Sequence, residues 1–172
     1  MNKKKLKYRV TYLEMNRKPS FDWPKNLKYK LSILLAESFP AWYFLFFYKQ
    51  VGKNYYWTDW LRKSEDEIDE FVNDKNVLLY TLIKDGWPVG FYMLDYRKKD
   101  ICDLSFFGLV DEVIGIGLGK YLLQTAILTA WDNKKIKKLT VNTCSLDHKS
   151  AIYLYQKYGF TPVKYKDLEK TV

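Results

Sequence analysis

The sequence predicts an α/β fold in a single domain, 1–172, with a mixed, mostly antiparallel central sheet flanked by helices. Three features carry that prediction. Val77 to Lys84 and Pro88 to Tyr96 are apolar, β-branched and aromatic runs joined by Asp85-Gly86, a pair suited to the positive φ angles of a tight hairpin turn. At Leu118 the period changes: Leu118, Leu122, Ala126 and Ala130 fall four apart, with Leu123 and Ile127 alongside, which marks a buried amphipathic helix. A strand, a helix and a strand then follow to the C-terminus, and that order after a run of strands builds a mixed sheet.

The elements are justified in chain order. Tyr8 to Met15 alternates polar and apolar residues as a first strand. Lys28 to Leu35 is ambiguous between strand and helix. Ala41 to Gln50 reads as an aromatic-rich helix ending at Gly52. Ser64-Glu65-Asp66-Glu67 is a capping box, in which serine and glutamate satisfy free N–H groups at a helix start, and it opens a short acidic helix to about Asn73. After the hairpin, Ile101 to Val110 extends the sheet as a meander, and Lys138 to Cys144 is a further strand. Ala151, Leu154, Tyr155 and Tyr158 have helical spacing, stopped by Gly159 as a C-terminal cap, and Phe160 to Tyr165 is the last strand. No internal repeat, low-complexity stretch or Pro/Ser linker interrupts this order.

Composition bounds the rest. The chain has 172 residues, 48% of them hydrophobic, with 6 Trp, 15 Tyr and 10 Phe. A domain of this size buries roughly 70% of its unfolded surface, so it needs no staple to fold, and such aromatic content is foreign to a disordered chain. The longest apolar run, Phe39 to Tyr48, contains Pro40 and is half the roughly 20 residues a spanning helix needs, so no membrane association is expected. Met1 to Lys7 is basic like the start of a signal peptide, but alternation rather than an apolar core follows it, and the chain reads as cytoplasmic. Cys102 and Cys144 make no disulfide framework, and His148 with Cys144 supplies too few ligands for a metal. The formal net charge is +9, but among 29 basic residues only Arg9, Arg17, Arg62 and Arg97 are arginines. Arginine is the residue that reads bases and grips phosphate with two prongs, so a nucleic-acid module is disfavoured.

Gly115-Ile116-Gly117-Leu118-Gly119-Lys120 sits where a strand hands over to the buried helix. A dinucleotide fingerprint would need glycine at position 120, and a phosphate loop would need glycine at 114 and Ser or Thr at 121, so both fail. What survives is a backbone that can approach a ligand closely, with N–H groups and a helix dipole directed at an anion and Lys120 adding charge.

A second segment makes this loop specific. Ile114 to Leu123 (IGIGLGKYLL) resembles the acetyl-CoA loop of the GCN5-related N-acetyltransferases, R/Q-x-x-G-x-G/A. His148 to Phe160 resembles that family's second signature, N-x-x-A-x-x-L-Y-x-x-x-G-F, carried here by Ala151, Leu154, Tyr155, Gly159 and Phe160. The two lie about thirty residues apart, in the family's order, and the likeness covers roughly Ile101 to Val163. Ile114 stands where the family has Arg or Gln, and His148 replaces its Asn.

The resemblance implies an acyl-CoA N-acyltransferase-like fold that binds acetyl-CoA through Ile114, Gly115, Ile116, Gly117, Leu118, Gly119, Lys120, His148 and Ala151. It implies direct attack of a primary amine, from a small molecule or a protein, on the thioester. Tyr155 matches the general acid, Asp103 is the expected base with Glu14 and Asp147 as rivals, and a backbone N–H near Gly108 or Leu109 would hold the carbonyl oxygen. The acceptor pocket is expected among the eleven aromatics of Phe39 to Trp60, with Tyr56 and Trp57 as its residues. A second copy of the chain is a further candidate partner. The competing reading, motivated by Ile114 and His148, is a noncatalytic acyl-CoA-binding or regulatory module on the same fold.

Overall fold

The computed structural model describes residues 5–25 and 28–171. The start of the basic leader-like stretch, residues 1–4, lies outside them. Seven strands form one sheet in the order β2-β3-β4-β5-β6-β1-β7. In chain order these are β1 (Lys5–Met15), β2 (Leu31–Ala36), β3 (Val77–Lys84), β4 (Trp87–Asp95), β5 (Ile101–Leu109), β6 (Lys138–Cys144) and β7 (Thr161–Thr171). The helices are α1 (Ala41–Gly52), α2 (Glu65–Val72), α3 (Leu118–Asp132) and α4 (Ala151–Lys157). Every strand pair is antiparallel except β5 with β6. This is the mixed, mostly antiparallel α/β architecture that the sequence predicts.

The local signals act as their chemistry requires. Asp85 and Gly86 both take positive φ, 50° and 94°, which closes the β3–β4 hairpin. The Ser64–Glu67 capping box is formed in both directions at the start of α2. Gly159 terminates α4 with φ of 100°. The ambiguous 28–35 stretch resolves as β2, because its alternate residues Leu31 and Ile33 pack against one core while its partner β3 supplies the ladder.

Two hydrophobic layers cover the sheet. One face packs on α3 and α4 through Leu118, Leu122, Leu123, Ala126 and Ile127, and the other on α1 and α2 through Phe44, Phe47, Ile68 and Phe71. Phe44 and Phe47 are fully buried, and truncating either to alanine is worth about 3–5 kcal/mol.

The first and last strands of the chain exceed their sequence-predicted lengths. β1 begins at Lys5 and lies between β6 and β7, so the N-terminal strand is interior to the sheet. β7 runs on to Thr171. Charge pairs join them: Arg9 holds Asp167 with two hydrogen bonds of 2.7 and 3.0 Å, and Lys7 meets Glu169 at 3.6 Å. Among the described residues, no helix is long and apolar enough to cross a membrane.

Candidate active site

The parallel strands β5 and β6 pair only from Ile101–Lys138 to Leu104–Val141. Beyond that point β5 continues to Leu109 and β6 to Cys144 without each other, and a cavity of about 650 Å³ opens between them. A volume of this size is ordinary for a small-molecule site. A β-bulge shapes the opening: Leu94 faces Leu104 and Met93 faces Phe106, so Ser105 is the extra residue. The bulge reverses parity along β5, and Leu104 and Phe107 point to the α3 core while Phe106 points to the α1 core.

One end of the cavity is the turn into α3. Gly115 and Gly117 take φ of 87° and 91°, and a Cβ at either would meet nothing within 4 Å. Gly117 is the N-cap of α3 and supplies no side-chain cap. The N–H groups of residues 115–120 have no backbone partner among the described residues, so the start of this 15-residue helix offers donors and a positive dipole end to an anion. Ile114 is different. Its N–H is spent on Asp111 O at 3.2 Å, so position 114 offers an anion neither a side-chain donor nor its amide. Ile114, Gly115, Gly117 and Gly119 line the cavity, whereas Leu118 turns its side chain into the core and Ile116 and Lys120 lie outside the wall.

The N-terminal approach to α4 adds His148, Ser150, Ala151, Leu154 and Tyr155 to the wall. His148 Nδ1 accepts the Ser150 N–H at 3.2 Å, as an asparagine oxygen would at this turn. In the neutral ring that leaves the proton on Nε2, exposed as a donor. Tyr155 is 5% exposed, yet its hydroxyl makes no hydrogen bond among the described residues, is not an enclosed unpaired atom, and lines the cavity. Burial, with the Asp147 carboxylate as a second cause, holds this phenol well above its ordinary range, so it keeps its proton. Tyr48 also faces the cavity and is pushed up to about 12 by burial, but its oxygen accepts the Trp60 N–H at 3.4 Å.

The β5 edge supplies a further donor. The Val110 N–H is bonded to Val89 O across β4, and strand alternation therefore turns the Leu109 N–H toward the opening. Gly108, its neighbour, is where α1 comes closest: a Cβ there would stand 2.2 Å from Val51 Cγ1.

Of the nominated carboxylates, Asp103 and Glu14 do not reach the cavity. Asp103 sits where β5 and β6 are still paired, below the opening, and its oxygens accept from Thr140 and from Ser105 at 2.8 Å. Glu14 pairs with Lys138 at 2.8 Å. Asp147 lines the cavity and accepts from Trp57 Nε1 at 3.1 Å, Thr143 Oγ1 at 2.8 Å and the Cys144 N–H at 2.8 Å.

Tyr56 and Trp57 both line the cavity, in different ways. Tyr56 is 44% exposed and takes φ of 57°. Trp57 is packed: it lies so close over Gly52 that a Cβ there would meet it at 2.2 Å, and its ring joins the α1 core. The sequence places both in a free loop, but Trp57 is a structural part of the wall.

The wall residues that escaped the sequence reading include Asp59, Lys170 and Tyr8. Asp59 had a signal, being the only acidic residue between Phe39 and Trp60. Lys170 had none among the charges of β7.

The sequence model of the acetyltransferase (GNAT) family matches residues 36–160. No curated protein matches the chain. Among solved structures, it is similar to a functionally unknown conserved protein from Staphylococcus epidermidis, with TM-score 0.69 and 14% identity over 96% of this chain and 62% of that one. It is similar to a GCN5-related N-acetyltransferase from Kribbella flavida, with TM-score 0.62 and 14% identity over 95% of this chain and 57% of that one. A GNAT family acetyltransferase from Elizabethkingia anophelis with acetyl-CoA bound gives TM-score 0.55 and 23% identity over 78% of each chain. The chain thus spans less than two thirds of the length of the first two. At these identities the likeness is one of fold.

Proposed function

This chain belongs to the acetyltransferase (GNAT) family, and we propose that it transfers an acetyl group from acetyl-CoA to a primary amine of a small molecule or protein, with Tyr155 as general acid. The observation that carries this reading is the Tyr155 hydroxyl. It is a buried, protonated phenol without an internal partner, set in the same cavity as the unengaged amides before α3.

The residues present fit acetyl-CoA. The amides of 115–120 suit its pyrophosphate, the open Cβ positions of Gly115 and Gly117 leave room for it, and His148 Nε2–H and the β5 edge offer donors along the cleft. Bound there, acetyl-CoA supplies an activated thioester carbonyl. The Leu109 N–H is placed to hold that carbonyl's oxygen, a role that gains strength in a site shielded from water. Tyr155 holds its proton through neutral pH and directs it at the leaving sulfur.

Two further features support direct transfer. The Cys144 thiol on the wall is raised by burial and by Asp147, so the wall carries no thiolate to take the acetyl group first. Among the described residues, Asp59 is the wall carboxylate that keeps an oxygen free of protein donors, and we assign to it the proton that the acceptor ammonium must lose.

The test is release of CoA thiol from acetyl-CoA across an amine library, with a thermal melt in CoA alongside. Turnover with some amine, and its loss in Tyr155→Phe, is the expected result. A CoA-stabilised protein that releases no thiol with any amine is the noncatalytic module instead.

A further inference from the structure

The acceptor end of the cavity holds an ion pair inside an aromatic wall. Lys170 Nζ donates to Tyr56 O at 2.8 Å and to Asp59 Oδ2 at 3.3 Å, and lies 5.9 Å from the Tyr8 ring centroid. The lysine side chain is only 12% exposed, while that of Asp59 is 69% exposed. An ammonium has three N–H donors; two are engaged, and among the described residues the third has no hydrogen-bond acceptor. Tyr48, Tyr56, Trp60 and Phe106 line the same cavity.

Charge balance decides what fits. A ligand that is only a cation meets Asp59 but also faces the Lys170 ammonium. One that is only an anion meets the reverse. A molecule with an ammonium and a carboxylate on adjacent atoms offers one partner to each and leaves no charge unpaired in the wall. The whole chain carries a formal net charge of +9, which disfavours approach of polycations such as lysine-rich peptides or polyamines.

We propose that the acceptor is a zwitterionic α-amino acid with an apolar or aromatic side chain. Its carboxylate is held by the third N–H of Lys170, its ammonium is turned to Asp59, and its side chain lies on the aromatic wall. The proposal rests on the acetyl-transfer reading above and narrows its acceptor. The reaction balances: the ammonium gives one proton to Asp59, the N–C(acetyl) bond forms as the C–S bond breaks, the thiolate takes a proton from Tyr155, and the second proton lost by the nitrogen restores the Tyr155 hydroxyl. Lys170 is a specificity residue and takes no part in these transfers.

The test compares apolar and aromatic amino acids with their decarboxylated amines, L-phenylalanine beside phenethylamine, in the thiol-release assay. Phenylalanine is expected to exceed phenethylamine by about 10²-fold in kcat/KM, the scale of one lost charge-assisted hydrogen bond. 3-Phenylpropanoate, which has the carboxylate and no amine, should inhibit competitively with the acceptor. Lys170→Met should collapse the preference by raising KM for phenylalanine more than for phenethylamine. Equal rates for phenylalanine and phenethylamine, or a preference for spermidine, overturn the proposal and leave acetyl transfer standing. Thiol release with no amine at all overturns both. Because the wild-type comparison needs no variant, a Lys170→Met protein that fails to fold does not shelter the proposal.

Discussion

The Trp57 indole N–H donates to Asp147 Oδ1 at 3.1 Å, tying the loop after α1 to the loop after β6 across the cavity. The same loop is held at its other end, where Asp111 accepts from Asn54 at 2.7 Å and pairs with Lys53 at 3.1 Å. The aromatic wall is therefore anchored to both arms of the splayed sheet, one tie behind β5 and one behind β6.

Removing the Asp147 carboxylate leaves three donors without a partner, from Trp57, Thr143 and Cys144. Asp147→Ala is expected to lose about 2–3 kcal/mol in urea unfolding, and Trp57→Phe, which gives up one hydrogen bond and keeps most of the ring, about 1 kcal/mol. Equal losses in the two variants would mean that the Thr143 and Cys144 bonds contribute nothing.

Tyr155→Phe should lower turnover on the order of 10²-fold with little change in acetyl-CoA affinity, because the ring still packs. The pH profile adds a second reading. A phenol held above its ordinary range by burial stays protonated through pH 10, so kcat should show no alkaline decline up to that pH. A falling limb centred near pH 8 or 9 would remove Tyr155 from the role of acid.

Asp59→Asn should depress kcat/KM near pH 7 and recover as the pH approaches the acceptor amine's own pKa, where the nucleophile is already neutral. Its melting temperature should hardly move, since the side chain is mostly exposed. A pH-independent deficit would make Asp59 a binding group rather than a proton acceptor.

The two glycines that flank Leu118 should part company. Gly117 has φ of 91°, so Gly117→Ala forces a side chain into a left-handed backbone, costs about 1–2 kcal/mol, and should abolish the melting shift given by CoA. Gly119 lies within α3, and a Cβ there would make only ordinary contacts of 3.8 and 3.9 Å. Gly119→Ala should raise stability by about 0.5–1 kcal/mol and keep the CoA shift. Loss of the shift in both variants would show that the loop tolerates no added bulk.

Tyr56 and Trp57 should also separate. Tyr56→Ala is expected to raise the acceptor KM without lowering the melting temperature, because the ring is largely exposed. Trp57→Ala should cost about 3 kcal/mol, since it opens a hole over Gly52 and the α1 core. Unchanged stability in Trp57→Ala would return that residue to the acceptor pocket alone.

The sequence by itself determined the features whose physics is local. Asp85-Gly86, Ser64 to Glu67 and Gly159 each dictate a turn or a helix end through the backbone demands of a few adjacent residues. The period of α3 and the open glycines before it are equally short-range, so the glycine-turn end of the cavity was legible, as was Tyr155 on α4. Tertiary structure alone decided which residues share the acceptor end. The insertion of β1 between β6 and β7 brings Tyr8 and Lys170 to the wall, and Lys170 meets Asp59 across 111 positions of chain. Asp103 is excluded because β5 and β6 part only above it, and one extra residue, Ser105, reverses which face each later side chain takes. Strand register is a long-range quantity with a period of two, so a single bulge or an inserted strand reassigns faces that no stretch of local sequence can specify.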